Sequence, residues 1–523
     1  MDCTEISSEV WISWAEEAWS TTEGASSETL VVELGKRLAA VPGGRLSTAL
    51  AEGMAELVRY ATQGQEEIES ALDAEVEALA VSRRIVRPIL EAKLQQCLDA
   101  LDARQTGQSA CPQCEAPSES QGRRARSWGS LLGPLHLTRR YRHCAPCQHG
   151  QAPAQDALGL PGGEFTARLE EVCTMMATTV PHEMAVKLIE QMTGVVVSEK
   201  AVQDMVEKRA TALAQRLEDA AETCAPYEPN GLPVAEPQRP DDAVEQPPEL
   251  AYLDLDGVVP MTREELPTKK LTAQELLVQQ QAKENKVRGG KGRRYELVGR
   301  EVKNAVLYRG EDCAKEGPTR GCLLDKRYVS YLGDWQSFAS LLWVEMLRQG
   351  FDQATRLVIL SDGAEWIRSL AEWLPIDVML ILDLYHVKHR IWEVANLLYG
   401  PKTAKAAAWA NTQCDRAEAG NAPQVIEALG FLRPRREDVK KKVSALRDYL
   451  KNNLDRMDYP RYREMGLRVG SGAVESANYH VTGARMKLQG MRWSEQGARD
   501  MAFLRADLFN GNWEKTTRAL LAA

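Results

Sequence analysis

The stretch Arg356-Leu-Val-Ile-Leu-Ser-Asp-Gly-Ala-Glu-Trp366 decides the fold. A short Leu/Val/Ile run without polar alternation is how a parallel strand buried on both faces reads. A strand over Arg356–Leu360 delivers Ser361 and Asp362 just past its carboxyl end, where open α/β sheets gather functional groups. Gly363 permits a tight exit or a close backbone approach. Asp362 has a second reading as the cap of the following helix. Outward from this point the pattern repeats. Leu250–Val259 is a strand candidate carrying Asp254 and Asp256, and Asp377–Leu382 is another, ending at Asp383. Arg294–Arg309 reads as extended chain, Arg327–Leu332 as a strand and Trp335–Gln349 as a helix. Residues 384–398 and 402–458 read as helices without a strand signal, before Gly470-Ser-Gly472 opens a last helical region.

Asp254 and Asp256 alternate on one strand and therefore point to the same face. Either could be the ligand; Asp256 precedes Gly257 as Asp362 precedes Gly363, which favours Asp256, with Asp254 then a supporting neighbour or part of a solvated strand face. Glu475, in Gly470-Ser-Gly-Ala-Val-Glu-Ser476, follows a plausible capping serine. Asn478, Tyr479 and Thr482 share its helix face. Separated acids brought to one point suit Mg²⁺, which takes hard oxygen ligands and few of them from protein. Beyond Glu475, Arg485, Lys487, Arg492 and Trp493 form a basic stretch with an aromatic, suited to phosphate contact and base stacking.

The amino-terminal half is organised differently. Residues 1–105 read as an acidic helical segment, with Pro88 as an expected kink. Residues 106–162 carry Cys111-Pro-Gln-Cys114 and Cys144-Ala-Pro-Cys147, 29 residues apart. Two such pairs flanking a predicted β-hairpin over Trp128–Arg142 read as a zinc ribbon, a closed four-thiolate structural site. A redox role fits poorly, because two pairs occur without a thioredoxin-like context. Arg124, Arg139 and Arg140 make this module basic and are candidates for DNA contact, with a solvated charged face as the alternative. Residues 163–224 are helical. His182–Met192, the break at Thr193-Gly194 and a second helix capped by Ser198 suggest a helix-turn-helix, although helix pairs also occur without DNA. The Pro-rich residues 225–248 read as a linker. The glycine-rich basic loop Lys283–Arg294, with Arg293 and Arg294, lacks the P-loop pattern and suits backbone tracking.

Net charge is −9, but residues 1–100 hold 18 acidic and 8 basic side chains, so the remainder is close to neutral. The acidity therefore belongs to the first segment and argues against DNA contact there. Eleven cysteines without a secretory signal make a disulfide framework unexpected. No apolar run reaches the roughly 18 residues of a membrane span. A cytoplasmic protein is the expectation.

Taken together, Asp256-Gly257, Leu360-Ser-Asp-Gly-Ala-Glu-Trp366, Asp383-Leu-Tyr-His386 and Gly470-Ser-Gly-Ala-Val-Glu-Ser476 resemble a bacterial DDE transposase. The likeness is to Mutator-related insertion-sequence enzymes of the ISKra type, across about 250–515 and more loosely 106–225. It implies a multidomain α+β protein whose ribonuclease-H-like catalytic domain, 249–515, holds an all-helical insertion at about 384–465. It places the triad on Asp256, Asp362 and Glu475, holding two Mg²⁺ or Mn²⁺ ions. It implies double-stranded DNA, as element ends and target, and a homodimer or larger multimer as partners. Asp383 and His386 match a further motif of these relatives. His386 then contacts the scissile phosphate or moves a proton; the alternative is a capping Asp and a packing His. The expected activity is metal-dependent cleavage and strand transfer. A nuclease or resolvase that cuts without joining, and a non-enzymatic zinc-ribbon regulator, are the rivals.

Overall fold

The computed structural model describes residues 45–62, 70–104, 109–228, 231–265, 295–316 and 320–522. Arg293 and Arg294, with the rest of the basic loop up to Arg294, lie outside the described residues. The chain divides into two compact units, 1–205 and 206–523. Both mix helix and sheet, so the protein is α+β. Among the described residues no helix is long and apolar enough to cross a membrane.

In the first unit, α1 (Arg45–Thr62) packs on α2 (Ala71–Arg104), which continues through Pro88. A four-stranded antiparallel sheet follows: β1 (Ser109–Ala110), β2 (Pro117–Ser130), β3 (Gly133–His143) and β4 (Gly150–Gln151). The β2–β3 hairpin is longer than its sequence suggests and turns at Leu131-Leu132, between Ser130 and Gly133. Trp128 is buried with Leu98 of α2 and Leu137 of β3, and its indole donates to the Pro161 carbonyl at 2.9 Å. Gln95 of α2 behaves as an extra strand residue. Its carboxamide donates to the Thr138 carbonyl at 2.8 Å and accepts from the Thr138 N–H at 2.7 Å, leaving both buried groups satisfied. The acidic helix and the cysteine module thus share one core, and Asp99 pairs with Arg123 at 2.9 Å. Helices α3 (Pro153–Ala157), α4 (Ala167–Thr179) and α5 (His182–Thr193) complete the run, and the next helix, α6 (Glu199–Thr223), spans the boundary between the units at 205/206, with most of its residues in the second. Helix α5 ends at Gly194, and the Ser198 hydroxyl accepts from the Ala201 N–H at 3.1 Å, capping α6.

The second unit is built on a five-stranded mixed sheet. Central β5 (Leu250–Val258) pairs antiparallel with β8 (Val302–Arg309), which pairs antiparallel with β11 (Arg327–Leu332). On its other side β5 pairs parallel with β12 (Arg356–Ser361), and β12 with β13 (Val378–Leu382), giving the order β11-β8-β5-β12-β13. Two hairpins project from this sheet: β6 (Met261–Glu265) with β7 (Tyr295–Gly299), and β9 (Cys313–Glu316) with β10 (Arg320–Leu323). Helices α7 (Trp335–Gln349) and α8 (Glu365–Trp373) flank β12 in sequence.

After β13 the chain is helical: α9 (Leu384–Tyr399), α10 (Ala404–Glu418), α11 (Ala422–Phe431), α12 (Glu437–Asn452) and α13 (Tyr459–Glu464). This segment follows β13 directly. It is not a separate lobe, because Val358, Leu360 and Ile381 of the sheet share one core with Ile391, Ala410, Val425 and Leu450. Trimming a fully buried member such as Ile391 to Ala would cost about 2–5 kcal/mol. The chain then returns through α14 (Gly472–Ala477), a π-helical turn (Asn478–Gly483), α15 (Glu495–Phe509) and α16 (Trp513–Ala522).

The Pro-rich stretch 225–248 is irregular but is not a free linker. The Tyr227 hydroxyl donates to the Trp373 carbonyl, Arg239 pairs with Asp352, and Asp242 pairs with Arg348 at 2.9 Å and with Lys515. Proline limits regular structure without preventing docking, and these partners lie more than 100 residues away.

Candidate functional site

Parallel register pairs Leu255 with Ser361, so Asp256 and Asp362 are the next residues on adjacent strands. Burial raises the Asp256 carboxyl first, to about 6, and the Asp362 charge adds to the rise. The Gly257 N–H on Oδ1 at 2.7 Å, the nearby His386 and the Asn478 amide on Oδ2 at 2.6 Å oppose it. Asp362 Oδ1 accepts from the Ala364 N–H at 2.9 Å, and its carbonyl accepts from the Tyr449 hydroxyl at 2.8 Å. Gly363 has φ +87°, and a Cβ there would stand 2.7 Å from Leu382 Cδ1, so the turn that presents Asp362 requires glycine.

Asp254 shares the face of Asp256 but not its setting. It is fully buried, and Oδ1 accepts from the Tyr308 hydroxyl at 2.8 Å. Burial pushes its carboxyl up to about 7. It therefore sits in the core below Asp256, which is the more open of the two.

Glu475 lies on α14, after Ser471, with its side chain 58% exposed. His386 Nδ1 is buried without a hydrogen-bond partner, 4.0 Å from Glu475 Oε1 and 3.9 Å from Asp383 Oδ1. Asp383 itself is a bracket. Oδ1 caps α9 through the His386 N–H at 2.7 Å, while Oδ2 accepts from the Ser471 N–H and hydroxyl. Beside it, Gly470 passes so close to Tyr385 that a Cβ would stand 2.5 Å from the ring. Asp383 thus acts as the cap, and His386 Nδ1 lies between Asp383 and Glu475.

One contributor escaped the sequence reading. Asn304 of β8 is the cross-strand partner of Asp256. Its amide donates to Asn478 Oδ1 at 2.7 Å, and its oxygen accepts from the Ser330 and Thr482 hydroxyls. This network turns the Asn478 NH₂ toward Asp256 and ties the Glu475 helix to β5. The available signal was a lone Asn in the apolar strand Val302-Lys-Asn-Ala-Val306.

The cysteines form the tightest potential metal site. The Sγ atoms of Cys111, Cys114, Cys144 and Cys147 all lie within 4.8 Å of one another, and among the described residues no other set of three or more candidate ligands does so. Asp256, Asp362 and Glu475 are thus more widely spaced. The Cys111–Cys147 and Cys114–Cys144 separations are 3.5 Å. Zinc–sulfur bonds of about 2.3 Å imply tetrahedral edges of about 3.8 Å, so the quartet fits zinc. The residue after each pair, Glu115 and Gln148, has φ near +60°, so the two knuckles share one backbone form.

The DNA-contact candidates divide by exposure. Arg124 is exposed, with its guanidinium 3.9 Å over Tyr141, and Arg140 is half-buried. Arg139 is buried in the module and is not a surface contact. Arg485 and Trp493 are also buried. The guanidinium sits 4.9 Å over the indole, and the indole N–H donates to the Met486 carbonyl at 3.1 Å. Neither can stack a base; only Lys487 and Arg492 of that stretch are exposed.

The fold and site define an α+β protein with a four-cysteine site in one unit and acids with a histidine at a sheet end in the other. A family model described as "Uncharacterised protein family (UPF0236)" matches residues 300–519, which hold Asp362, His386 and Glu475 but not Asp256 or the cysteines. A UPF0236 protein of Caldanaerobacter subterraneus subsp. tengcongensis is 25% identical over 199 residues, 37% of this chain. The chain spans 39% of that relative's length.

Proposed function

We propose that the protein is a metal-dependent DNA strand transferase of the insertion-sequence transposase kind, with a ribonuclease-H-like catalytic domain. The observation that supports this is the register of Asp256 and Asp362 on adjacent parallel strands, with the Asp362 and His386 charges both acting on Asp256 and Glu475 Oε1 lying 4.0 Å from His386 Nδ1. Their hard oxygen donors, and the rise of Asp256 through burial and the Asp362 charge, suit divalent cations. Two bound Mg²⁺ or Mn²⁺ ions would supply charge stabilisation at a scissile phosphate and activation of the attacking oxygen. Asn478 fixes Asp256, the Gly363 turn fixes Asp362, and Asp383 fixes the loop that leads to Glu475. His386 Nδ1 is free to accept or deliver a proton beside Glu475. The zinc module and the α5–α6 pair supply DNA recognition, through exposed Arg124 and α6.

The test is strand transfer in Mg²⁺ with DNA ends from the element flanking the gene, using Asp256→Ala, Asp362→Ala and Glu475→Ala. Each should reduce joining by at least about a hundredfold. A folded Asp362→Ala protein with full activity overturns the proposal. Cleavage without joining of supplied 3′-ends would instead indicate a nuclease.

A further inference from the structure

The β6–β7 hairpin begins five residues after Asp256, within about 17 Å along the chain at 3.3–3.4 Å per residue. A third segment joins it. The Trp493 N–H donates to the Met261 carbonyl at 3.1 Å, and the Arg263 N–H to the Trp493 carbonyl at 2.7 Å. Buried Arg485 and Trp493 anchor that segment, and the neighbouring side chain, Arg492, is turned outward. Its guanidinium donates to the Tyr295 hydroxyl at 3.1 Å. Arg263 donates to the Arg492 carbonyl at 3.0 Å and lies 5.4 Å over the Tyr295 ring. Met261 and Leu297 are exposed on the same hairpin. The cross-strand pair Glu264–Glu296 belongs to the other face, where Arg300 holds Glu264 at 3.5 Å and Glu495 at 3.3 Å. Arg263, Arg492 and Tyr295 thus form one exposed, preassembled cluster of two guanidiniums and a ring.

We propose that this cluster binds the DNA strand running from the catalytic carboxylates, with Arg263 and Arg492 on phosphates and Tyr295 stacking a base. The assignment rests on the strand-transferase reading and adds two residues to it. The hairpin strands themselves carry one Arg and three Glu, with Glu265 the cross-strand partner of Tyr295, so phosphate contact rests on the Arg263–Arg492 pair, while the ring selects an unpaired base over duplex. The distance from Asp256 spans at most about five nucleotides at the ~3.4 Å rise of a duplex strand, and fewer for an unstacked one. The 29 residues between the two strands carry eight Lys or Arg and two Glu, so the hairpin also emerges into a basic stretch of sequence.

The experiment is fluorescence anisotropy of the full chain with a labelled mixed-sequence single strand and the matching duplex, in Ca²⁺ to suppress turnover. Arg263→Ala with Arg492→Ala should weaken single-strand binding at least tenfold and lower the salt slope by about 1.4, about 0.7 per lost phosphate. Arg263→Lys with Arg492→Lys should restore the slope, which separates charge from folding. Tyr295→Ala should weaken the single strand about tenfold, with the slope unchanged and the duplex little affected. If wild type binds and the double Ala variant binds equally with the same slope, the cluster assignment falls and the transferase reading survives. If wild type binds neither oligonucleotide, both fall. A changed oligomeric state of the double variant by light scattering, with DNA binding intact, would make the hairpin a protein interface and overturn the assignment.

Discussion

Asp254→Asn separates the buried aspartate from the catalytic one. In the folded protein the Asp254 carboxyl is raised from 3.8 to about 7, chiefly by burial, with the Tyr308 hydroxyl and Arg468 opposing. A raised acid contributes stability that is fully present below its unfolded value and lost as pH climbs through its folded value. At about 1.4 kcal/mol per pH unit, the full loss above neutrality is about 4 kcal/mol, of which about 1.6 is already incurred at pH 5. Asparagine cannot ionise, still accepts from Tyr308, and puts NH₂ where Oδ2 has no partner. An unpaired buried amide costs about 1–3 kcal/mol, equally at both pH values. The variant's stability relative to wild type should therefore improve by about 2.5 kcal/mol between pH 5 and pH 8. Urea unfolding without added Mg²⁺ or Mn²⁺ at the two pH values reads this directly. A difference that stays the same within about 0.5 kcal/mol would refute the burial argument. Strand transfer by Asp254→Asn should remain within about threefold of wild type, whereas Asp256→Asn should lose at least about a hundredfold. Loss of metal-dependent activity in a well-folded Asp254→Asn protein would show that Asp254 acts at the site.

Three further outcomes are expected. Purified protein should hold one zinc per chain, and Cys144→Ser should lose most of it with a fall in the thermal midpoint, as read by metal analysis and calorimetry. Asp383→Ala removes the α9 cap and the Ser471 bonds from a buried position, and should cost about 2–4 kcal/mol in urea unfolding while impairing strand transfer. Asp242 is raised by burial but held down overall to about 2 by Lys515 and Arg348, so its stabilisation is present above 3.8 and lost as pH falls through about 2. After solvent screening of this partly exposed acid, Asp242→Asn should cost about 1 kcal/mol at neutral pH, and high salt should shrink the difference.

The sheet was legible because its strands are short apolar runs whose last residues change character abruptly, as at Leu360-Ser-Asp362. Helix α5 was legible from Gly194 and α6 from Ser198, since these residues act locally. What stayed hidden depends on distant partners. Asp254 and Asp256 share a face, and only the packing of Tyr308 divides buried from open. Arg485 and Trp493 look like a nucleic-acid patch in sequence, but a guanidinium stacked on an indole can also be a core. The stretch 225–248 has a linker's composition and a strap's contacts. Asp383 and Ser471 are 88 residues apart, so neither announces the other.

That last pair has a consequence for length. The helical segment leaves the sheet at Leu384, whose N–H donates to the Val469 carbonyl at 2.9 Å, and its far end is held by Asp383 at Ser471. Its two ends therefore touch, and one carboxylate clasps both. Loop-closure cost grows only with the logarithm of length. The Asp383 clasp, rather than the length of chain between its ends, sets where Glu475 stands against the strand ends, while α10 to α12 are tied to the sheet through the core they share with it.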